Sequence, residues 1–264
     1  LFILLISIAI CTITSGQTKK PILSGEKKVE MFSRHLELKK ESSLKDLKWQ
    51  YIGPTNISGR CTDVEAVMAR GESYTIWVGS ASGGVWKTTD AGISWKNISD
   101  GFFKTGSVGA IAVAESDSNI LVVGMGEHAA RGVMTSMGDG VYKSMDAGKT
   151  WVHLGLEKTR HISDVIIHPK NPNIIYISAQ GAQYAGSTER GVYKTSDGGK
   201  TWKKVLFVNE TTGVSSLSMD MNNPRILYAS MWQHERFPWI IKSQILMGFL
   251  KVLLQKLIIV LLII

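Results

Sequence analysis

Residues 191–202, Gly-Val-Tyr-Lys-Thr-Ser-Asp-Gly-Gly-Lys-Thr-Trp, decide the fold, because near-copies of this stretch occur twice upstream. One copy runs from Gly84 to Trp95 and the other from Gly140 to Trp151. The closing tryptophans, at positions 95, 151 and 202, stand 56 and then 51 residues apart. A fixed period of this size indicates a propeller or another repeat array.

Each copy predicts a strand, a tight turn and the start of a returning strand. The aspartates would accept hydrogen bonds from turn N–H groups, the glycines would take the positive φ that a Cβ disfavours, and the tryptophans would wedge between neighbouring sheets. These structural positions are Asp90, Gly92 and Trp95, then Asp146, Gly148 and Trp151, and finally Asp197, Gly199 and Trp202. The pattern Ser/Thr-x-Asp-x-Gly-x-Thr/Ser-Trp resembles the Asp-box, or bacterial neuraminidase repeat.

The three aspartates could instead be metal ligands or acids. Each lies in its own turn, about one repeat from the next, so the three cannot converge on one site. The pattern therefore favours a structural role, and we predict no metal and no cofactor.

The charge of +8 lies mostly outside the repeats. Residues 1–48 carry +4, residues 240–264 carry +3, and the repeat region keeps only +1. A nearly neutral repeat domain argues against nucleic acid as a partner.

The N-terminal residues 1–16 have the apolar core of a signal peptide, with small residues before a cleavage point near Gln17. They lack an initiator Met and a basic start, so we expect an incomplete N-terminus; a buried strand or helix is the alternative. Cys11 lies in this leader, which leaves Cys61 as a single thiol and allows no disulfide framework. Residues 17–48 are a charged spacer that suits a short amphipathic helix or a mobile linker.

Residues 49–239 repeat four short strands about every fifty residues. The first strands are predicted at 61–68, 108–114, 162–168 and 214–219, and the second strands at 75–79, 120–124, 174–178 and 226–230. The third and fourth strands flank the Asp-box. Four antiparallel strands per repeat is the blade of a β-propeller. We therefore predict an all-β, truncated propeller of about three and a half Asp-box blades, which is too few to close a common ring.

Several further stretches carry a family resemblance: Gly59-Arg60-x-Thr62-Asp63, residues 81–89, Gly124-x-Gly126-Glu127, residues 179–181, and Trp232-Gln233 with Arg236. They resemble the N-terminal part of large secreted bacterial proteins with sortilin-type/neuraminidase-repeat propellers, commonly labelled glycosyl hydrolases. The resemblance implies that the chain is a fragment of an exported protein, extracellular, periplasmic or at the cell surface, whose C-terminal blades are missing from this sequence.

Residues 240–264 depart from the repeat and form an aberrant Leu/Ile-rich tail. A membrane anchor is one interpretation, since residues 245–264 have the length of a span, although Lys251 and Lys256 lie inside it. A frameshift near Trp239 is the alternative that we favour, because a shifted frame permits Gly-Ile-Phe-Lys-Ser-Thr. A membrane is a partner only if the tail is genuine.

The candidate site lies on the propeller face opposite the Asp-boxes, where each second strand ends. Glu127 and Asp63 are the candidate catalytic carboxylates, since glycosidases commonly use two; the alternative for Glu127 is to anchor a loop through backbone N–H groups or Arg131. The candidate ligand-binding residues are Arg60, Arg131, Gln180, Trp232, Gln233, His234 and Arg236. Further candidates on this face are Ser80, Ala81, Ser82, His128, Gln183 and Tyr184, and we interpret His128, His161 and His234 as surface-loop histidines.

Two functions remain open from the sequence. The first is an exported propeller that binds or hydrolyses carbohydrate, as the family label implies. The second is a non-catalytic propeller that binds a protein or peptide. Propellers host many functions, so the fold alone does not choose between a glycan and a peptide ligand.

Overall fold

A computed structural model describes residues 25–46, 59–67, 74–128, 135–237, 240–243 and 258–263, the last two ranges as backbone only. The elements are one helix, α1 (Gly25–Glu41), one 3₁₀ turn (Glu157–Thr159), and strands β1 (Cys61–Val67), β2 (Thr75–Ser80), β3 (Gly84–Thr88), β4 (Lys96–Asn97), β5 (Val108–Ala114), β6 (Asp117–Met125), β7 (Val141–Ser144), β8 (Val152–His153), β9 (Ile162–Ile167), β10 (Ile175–Ala179), β11 (Gly191–Thr195), β12 (Lys203–Leu206), β13 (Thr212–Met219), β14 (Ile226–Phe237), β15 (Ile240–Ser243) and β16 (Ile258–Ile263).

The strands form successive four-stranded antiparallel sheets. Blade 1 is β1 to β4, blade 2 is β5 to β8 and blade 3 is β9 to β12, each in simple sequence order. Blade 4 begins with β13 and β14, and both β15 and β16 then pair with β14. The predicted all-β partial propeller is confirmed.

The hydrophobic core lies between the blades, because the central strands bury both of their faces. In β6, Leu121 and Val123 pack toward Trp77 and Val85 of blade 1, whereas Val122 packs toward Ile177 of blade 3. Successive side chains of a strand point to opposite faces, so one continuous apolar run serves two cores. A third core joins blades 3 and 4.

The three turns between third and fourth strands, residues 88–95, 144–151 and 195–202, share one hydrogen-bond pattern, and we call them the Asp–Gly turns. In the last of them, the Thr195 hydroxyl donates to Asp197 Oδ1 (2.7 Å), and the Thr201 amide and hydroxyl donate to Asp197 at 3.0 and 2.6 Å. Asp90 and Asp146 make the matching contacts. Donated hydrogen bonds stabilise a carboxylate, and they lower the pKa of Asp90 and of Asp146 to about 2.

The turn glycines have the left-handed φ expected from the sequence: 93° at Gly92, 87° at Gly148 and 100° at Gly199. The residue before each glycine is also left-handed, and in two turns it is an alanine, Ala91 or Ala147, with φ of 56° and 59°. The sequence did not indicate this conformation, which a Cβ disfavours. The hydrogen bonds that each aspartate accepts hold the turn closed against that cost.

The turn tryptophans differ in their surroundings. The Trp151 indole N–H donates to the Ile98 carbonyl of blade 1 (2.9 Å), and the Trp202 indole donates to the Leu154 carbonyl of blade 2 (2.8 Å). Among the described residues, the Trp95 indole donates to the Gly92 carbonyl of its own turn (3.1 Å) and to no other blade. Two of the three predicted wedges thus contact the preceding blade.

The structure describes parts of the N-terminal charged spacer and of the C-terminal tail. Within the charged spacer, residues 25–41 form α1, whereas the leader, residues 1–16, lies outside the described residues. Parts of the tail form β15 and β16, and β16 pairs with β14 in antiparallel register from Ile226↔Ile263 to Met231↔Ile258. In the described ranges, the helices fall short of the length and apolar character that a membrane span requires. The tail as anchor or frameshift product stays a prediction.

Candidate functional site

The candidate residues lie where the second strands end, at the edge of the blades opposite the Asp–Gly turns. The sequence predicted that the fourth of these strands ends at Ser230, but β14 continues to Phe237. Trp232, Gln233, His234 and Arg236 are therefore strand residues rather than loop residues. The extension exists because β14 finds new partners: Thr212 opposite Gln233, and Ser243 of β15 opposite His234.

Arg60 and Glu127 form a two-pronged ion pair between blades 1 and 2. Arg60 Nε donates to Glu127 Oε1 (2.8 Å) and Arg60 Nη2 donates to Glu127 Oε2 (2.6 Å). The Glu127 side chain is nearly buried, at 7% exposure, so this fork compensates the charge that burial would otherwise penalise. The pairing with Arg60 spans 67 positions, whereas Arg131 lies outside the described residues.

The main chain of Glu127 is fixed as firmly as its side chain. Its N–H donates to Ser107 Oγ (2.9 Å), and its carbonyl contacts His161 Nδ1 (2.9 Å). The His161 carbonyl in turn accepts the Gln180 N–H (2.9 Å). Residues from three blades are thereby joined into one hydrogen-bonded row running from Arg60 to Gln180.

A second group surrounds Arg190, a fully buried residue that the sequence did not single out. Its Nη2 donates to the carbonyls of Ala182 (2.6 Å) and His234 (3.3 Å), and its Nη1 lies 3.5 Å from His234 Nδ1. Arg190 therefore ties the segment after β10 to the extension of β14. The carbonyl of Gln183 adds a further link by accepting the Arg236 N–H (2.8 Å).

The extension of β14 places an aromatic and cationic row beside that segment. The Trp232 and His234 rings stack at 4.4 Å between centroids with 17° between planes, and Arg236 follows two residues later. In the described part of the chain, five buried side-chain nitrogens in this group have no hydrogen-bond partner: Gln183 Nε2, Trp232 Nε1, His234 Nε2 and both Arg236 Nη atoms. Buried donors are normally satisfied, so this group has capacity to bind further acceptors.

The histidines of this face are not surface-loop residues, and that interpretation was wrong for His161 and His234, which are 1% and 2% exposed. Burial, together with nearby positive charges, lowers the pKa of both imidazoles to about 4. Burial also lowers the pKa of His128. Neutral imidazoles suit hydrogen bonding, but across the described residues no three His, Cys, Asp or Glu side chains are placed to hold a metal.

A group of carboxyl groups lies on the innermost strands. Asp63 Oδ2 accepts the Ile111 N–H of the next blade (2.9 Å), and Asp164 Oδ2 accepts the Leu217 N–H of its next blade (3.0 Å). Burial raises the pKa of Asp63 and raises that of Asp164 to about 6. Burial, together with the charges of Asp63 and Asp164, raises the pKa of Glu65 to about 7.

Only Asp63 of this group was predicted from the sequence. Asp164 occupies in blade 3 the position that Asp63 occupies in blade 1, two residues after the start of the innermost strand. Aligning the first strands of the repeats would have found it. Glu65 could then have been added to the group, because it lies two residues after Asp63 and residues two apart on a strand share a face.

The carboxyl group of Glu65 should make stability depend on pH. Because its pKa is raised, the Glu65 carboxyl binds a proton more tightly in the folded state than in the unfolded state. The contribution of Glu65 to the stability of the fold therefore falls as the pH rises from about 4.5 to about 7. Glu65→Gln should therefore stabilise the intact protein at pH 8, by about 1 kcal/mol or less because solvent screens a partly exposed group, and change little at pH 4. Denaturation midpoints at both pH values measure this, with the exposed Glu115→Gln as control. Equal gains at the two pH values would contradict the assignment.

The structure joins some predicted residues and separates others. Arg60, Glu127 and Gln180 share one hydrogen-bonded row, and Trp232, His234 and Arg236 form another group. Gln233 turns toward Thr211 Oγ1 (3.3 Å), and Tyr184 is exposed. The Ala81 N–H donates to the Arg60 carbonyl (3.0 Å), so residues 80–82 support the first row rather than the second.

Comparisons with known proteins agree with the fold. No family model matches the chain. An oligoxyloglucan-reducing end-specific xyloglucanase of Emericella nidulans is 30% identical over 119 residues, which are 44% of this chain and 14% of that relative. The chain thus spans about a seventh of the length of the curated relative that it matches.

Two solved structures are similar to the described blades. One is an ancestral GH74 enzyme, with a TM-score of 0.51 and 22% identity over 68% of this chain and 22% of that one. The other is the GH74 enzyme of Niastella koreensis, with a TM-score of 0.51 and 20% identity over 70% of this chain and 31% of that one. At these identities the likeness supports the fold and leaves the chemistry to the residues of this chain.

Proposed function

We propose that this chain forms part of an exported β-propeller protein of the sortilin/neuraminidase-repeat type, which binds carbohydrate on the face opposite the Asp–Gly turns. The observation that carries the proposal is the row formed by Trp232, His234 and Arg236 beside Gln183, because it combines an aromatic surface with buried nitrogens that have no hydrogen-bond partner among the described residues. The similarity to the oligoxyloglucan-reducing end-specific xyloglucanase of Emericella nidulans supports the same class of ligand.

The chemistry of the row suits a sugar. A sugar ring presents C–H groups on its faces, which pack on an indole, and hydroxyl and ring oxygens at its edge, which accept hydrogen bonds from amide, indole and guanidinium N–H groups. Pockets for such ligands commonly combine aromatic surface with a few placed polar groups. Trp232 is partly exposed, so a ligand can reach it, while Arg190 holds the neighbouring His234 in place.

Hydrolysis is a second candidate function, with Glu127 and Asp63 as the proposed carboxylates. The observation that favours it is the raised pKa of Asp63 and of its neighbours Glu65 and Asp164, because a general acid must hold its proton near the working pH. Glu127 is already paired with Arg60, which suits a fixed carboxylate better than a proton donor. Binding therefore ranks first.

Trp232→Ala should weaken binding of xyloglucan oligosaccharides by the intact protein at least about tenfold, because it removes the aromatic surface on which a sugar ring would pack. Isothermal titration calorimetry measures the change. Tyr228→Ala is the matched control, since Tyr228 lies on the same strand, is exposed, and sits away from the row. If the parent protein and Trp232→Ala bound the oligosaccharides with equal affinity, the ligand would have to bind at another face. Binding of peptides but not of glycans would overturn the proposed class of ligand.

Catalysis can be tested separately from binding in the same protein. If the intact protein releases reducing ends from the bound glycan, Glu127→Gln should lower that rate at least about a hundredfold, the scale of losing an essential acid or base. Glu115→Gln, on the exposed turn after β5, should leave the rate unchanged. An unchanged rate in Glu127→Gln would remove Glu127 from catalysis and leave its pairing with Arg60 as its role.

A further inference from the structure

A cavity of about 640 Å³ opens between blades 1 and 2, on the side of the Asp–Gly turns. Blade 1 contributes Lys87 of β3 and Lys96 of β4 to its wall, and blade 2 contributes Lys149 of the second Asp–Gly turn. Ligand pockets in proteins commonly have volumes of about 300–1,000 Å³, so the cavity is large enough for an organic ligand. We call it the lysine cavity.

The three lysines of this cavity bring like charges together. Lys87 stands directly opposite Lys96 in the antiparallel ladder, and residues in such positions share one face of the sheet. That face is turned toward blade 2, because Lys87 Nζ donates to the Ala147 carbonyl (3.1 Å). Burial, followed by the charge of Lys149, lowers the pKa of Lys87. Like charges directly opposite each other destabilise a sheet, so this arrangement costs the ligand-free protein some stability.

Acidic side chains do not neutralise the lysine cavity. Within the described ranges, the salt bridges involve none of its three lysines. The carboxylates of Asp90 and Asp146 are engaged by the amide and hydroxyl groups of their own turns. Asp100 is the acidic residue in the lining, so three cations face one carboxylate. A cleft lined mainly by one sign of charge attracts ligands of the opposite sign.

The fold does not require a lysine at position 96. In blade 2, the residue opposite Lys143 is Val152, so a valine serves at the equivalent position. In blade 3, Lys194 stands opposite Lys203, but in the described residues no lysine from a following Asp–Gly turn joins that pair. The group of three lysines therefore distinguishes the junction of blades 1 and 2 from the junction of blades 2 and 3.

The rest of the lining suits a sugar ring. Trp95 and Phe102 supply aromatic surface, and Trp95 is 43% exposed, so a ligand can reach it. Aromatic rings pack well on the C–H faces of sugars. Asn97 and Asp100 add side-chain oxygens that accept hydrogen bonds from hydroxyl groups. A simple anion would use the lysines alone, whereas a sugar that bears a carboxylate would use all three kinds of group.

We propose that the lysine cavity binds an oligosaccharide of uronic acids, with Lys87, Lys96 and Lys149 facing its carboxylates and Trp95 packing against a sugar ring. Hydrogen bonds between an ammonium and a carboxylate are stronger than neutral ones, so bound carboxylates offset the repulsion among the lysines. The cavity lies at the opposite end of the blades from the row of Trp232. The two sites are therefore independent, and either proposal can fail without the other.

Isothermal titration calorimetry of the intact protein with trigalacturonate tests the site. Lys96→Gln should lower the affinity at least about tenfold, because it removes a charged partner of the carboxylates. Lys200→Gln is the matched control and should bind like the parent, since Lys200 holds in the third Asp–Gly turn the position that Lys149 holds in the second. Lys96→Gln should also raise the unfolding temperature of the ligand-free protein, whereas a lysine with a structural role would lower it on removal.

Two further ligands separate charge from sugar. The trimethyl ester of trigalacturonate keeps the rings without the negative charges, and phosphate keeps negative charge without a ring. Each should bind at least about tenfold more weakly than trigalacturonate. The proposal is overturned if the parent does not bind trigalacturonate, if Lys96→Gln and Lys200→Gln bind it equally, or if the ester binds as tightly. Equal affinity for phosphate would reduce the cavity to a site for simple anions and would also overturn it.

Discussion

Gly126→Ala is expected to lower the free energy of unfolding by at least about 4 kcal/mol, which is exceptional for one methyl group. Gly126 precedes Glu127 and has φ of 91°, where an L side chain is strained. A Cβ there would also run into the backbone carbonyl of Arg160 and the amide nitrogen of Gly138. Those two groups bond to each other at 2.7 Å, so neither can move without breaking the junction between blades 2 and 3.

Gly101→Ala separates the two causes. Gly101 has a similar φ of 86°, but a Cβ built there meets no heavy atom within 4 Å. It should therefore cost only the conformational strain, about 1–2 kcal/mol. Urea denaturation of the intact protein, followed by tryptophan fluorescence, compares the variants. Similar losses for Gly101→Ala and Gly126→Ala would mean that the contact with Arg160 and Gly138 does not constrain this junction.

Arg190→Ala should cost about 3–5 kcal/mol, the scale of removing a large buried side chain or one partner of a buried network. The change leaves the carbonyls of Ala182, Ala185 and His234 without this donor and opens a cavity where Arg190 is fully buried. Burial lowers the pKa of Arg190 to about 10, so the side chain is still charged at neutral pH. Under the carbohydrate proposal, glycan affinity should also fall at least tenfold, because His234 loses its support.

Arg190→Lys provides the matched control. A lysine keeps the charge and has one nitrogen that can donate to carbonyls, but it lacks the second nitrogen that lies 3.5 Å from His234 Nδ1 in the parent, so it should recover about half of the lost stability. Chemical denaturation and calorimetric titration of the intact protein measure the two effects. Full stability in Arg190→Ala would show that the segment after β10 is held by other contacts. Full affinity in a destabilised Arg190→Ala would separate Arg190 from the binding row.

The local part of the fold could be predicted from the sequence, because it depends on interactions between residues that are close together in the chain. The strand at Val108–Ala114 was predicted with its observed bounds, since an apolar run between turn residues defines it. The turns around Asp90, Asp146 and Asp197 were predicted because their hydrogen bonds join residues at most four positions apart.

The candidate site was harder to predict, because its contacts join distant parts of the chain. Glu127 meets Arg60 across 67 positions and His161 across 34, and no spacing rule describes such pairs. The burial of His161 and His234 depends on neighbouring blades, as does the extension of β14, whose far end pairs with β15. Asp164 is the exception, since an alignment of the repeats would have placed it beside Asp63.

The Trp–carbonyl contacts between blades also imply an order of folding during synthesis. Each Asp–Gly turn closes on itself through bonds of short sequence separation, so it can form soon after its residues leave the ribosome. Trp151 then reaches back 53 positions to Ile98, and Trp202 reaches back 48 positions to Leu154. Each of these bonds joins a new blade to the blade synthesised before it, so the domain can assemble from its N-terminal end before later residues are synthesised.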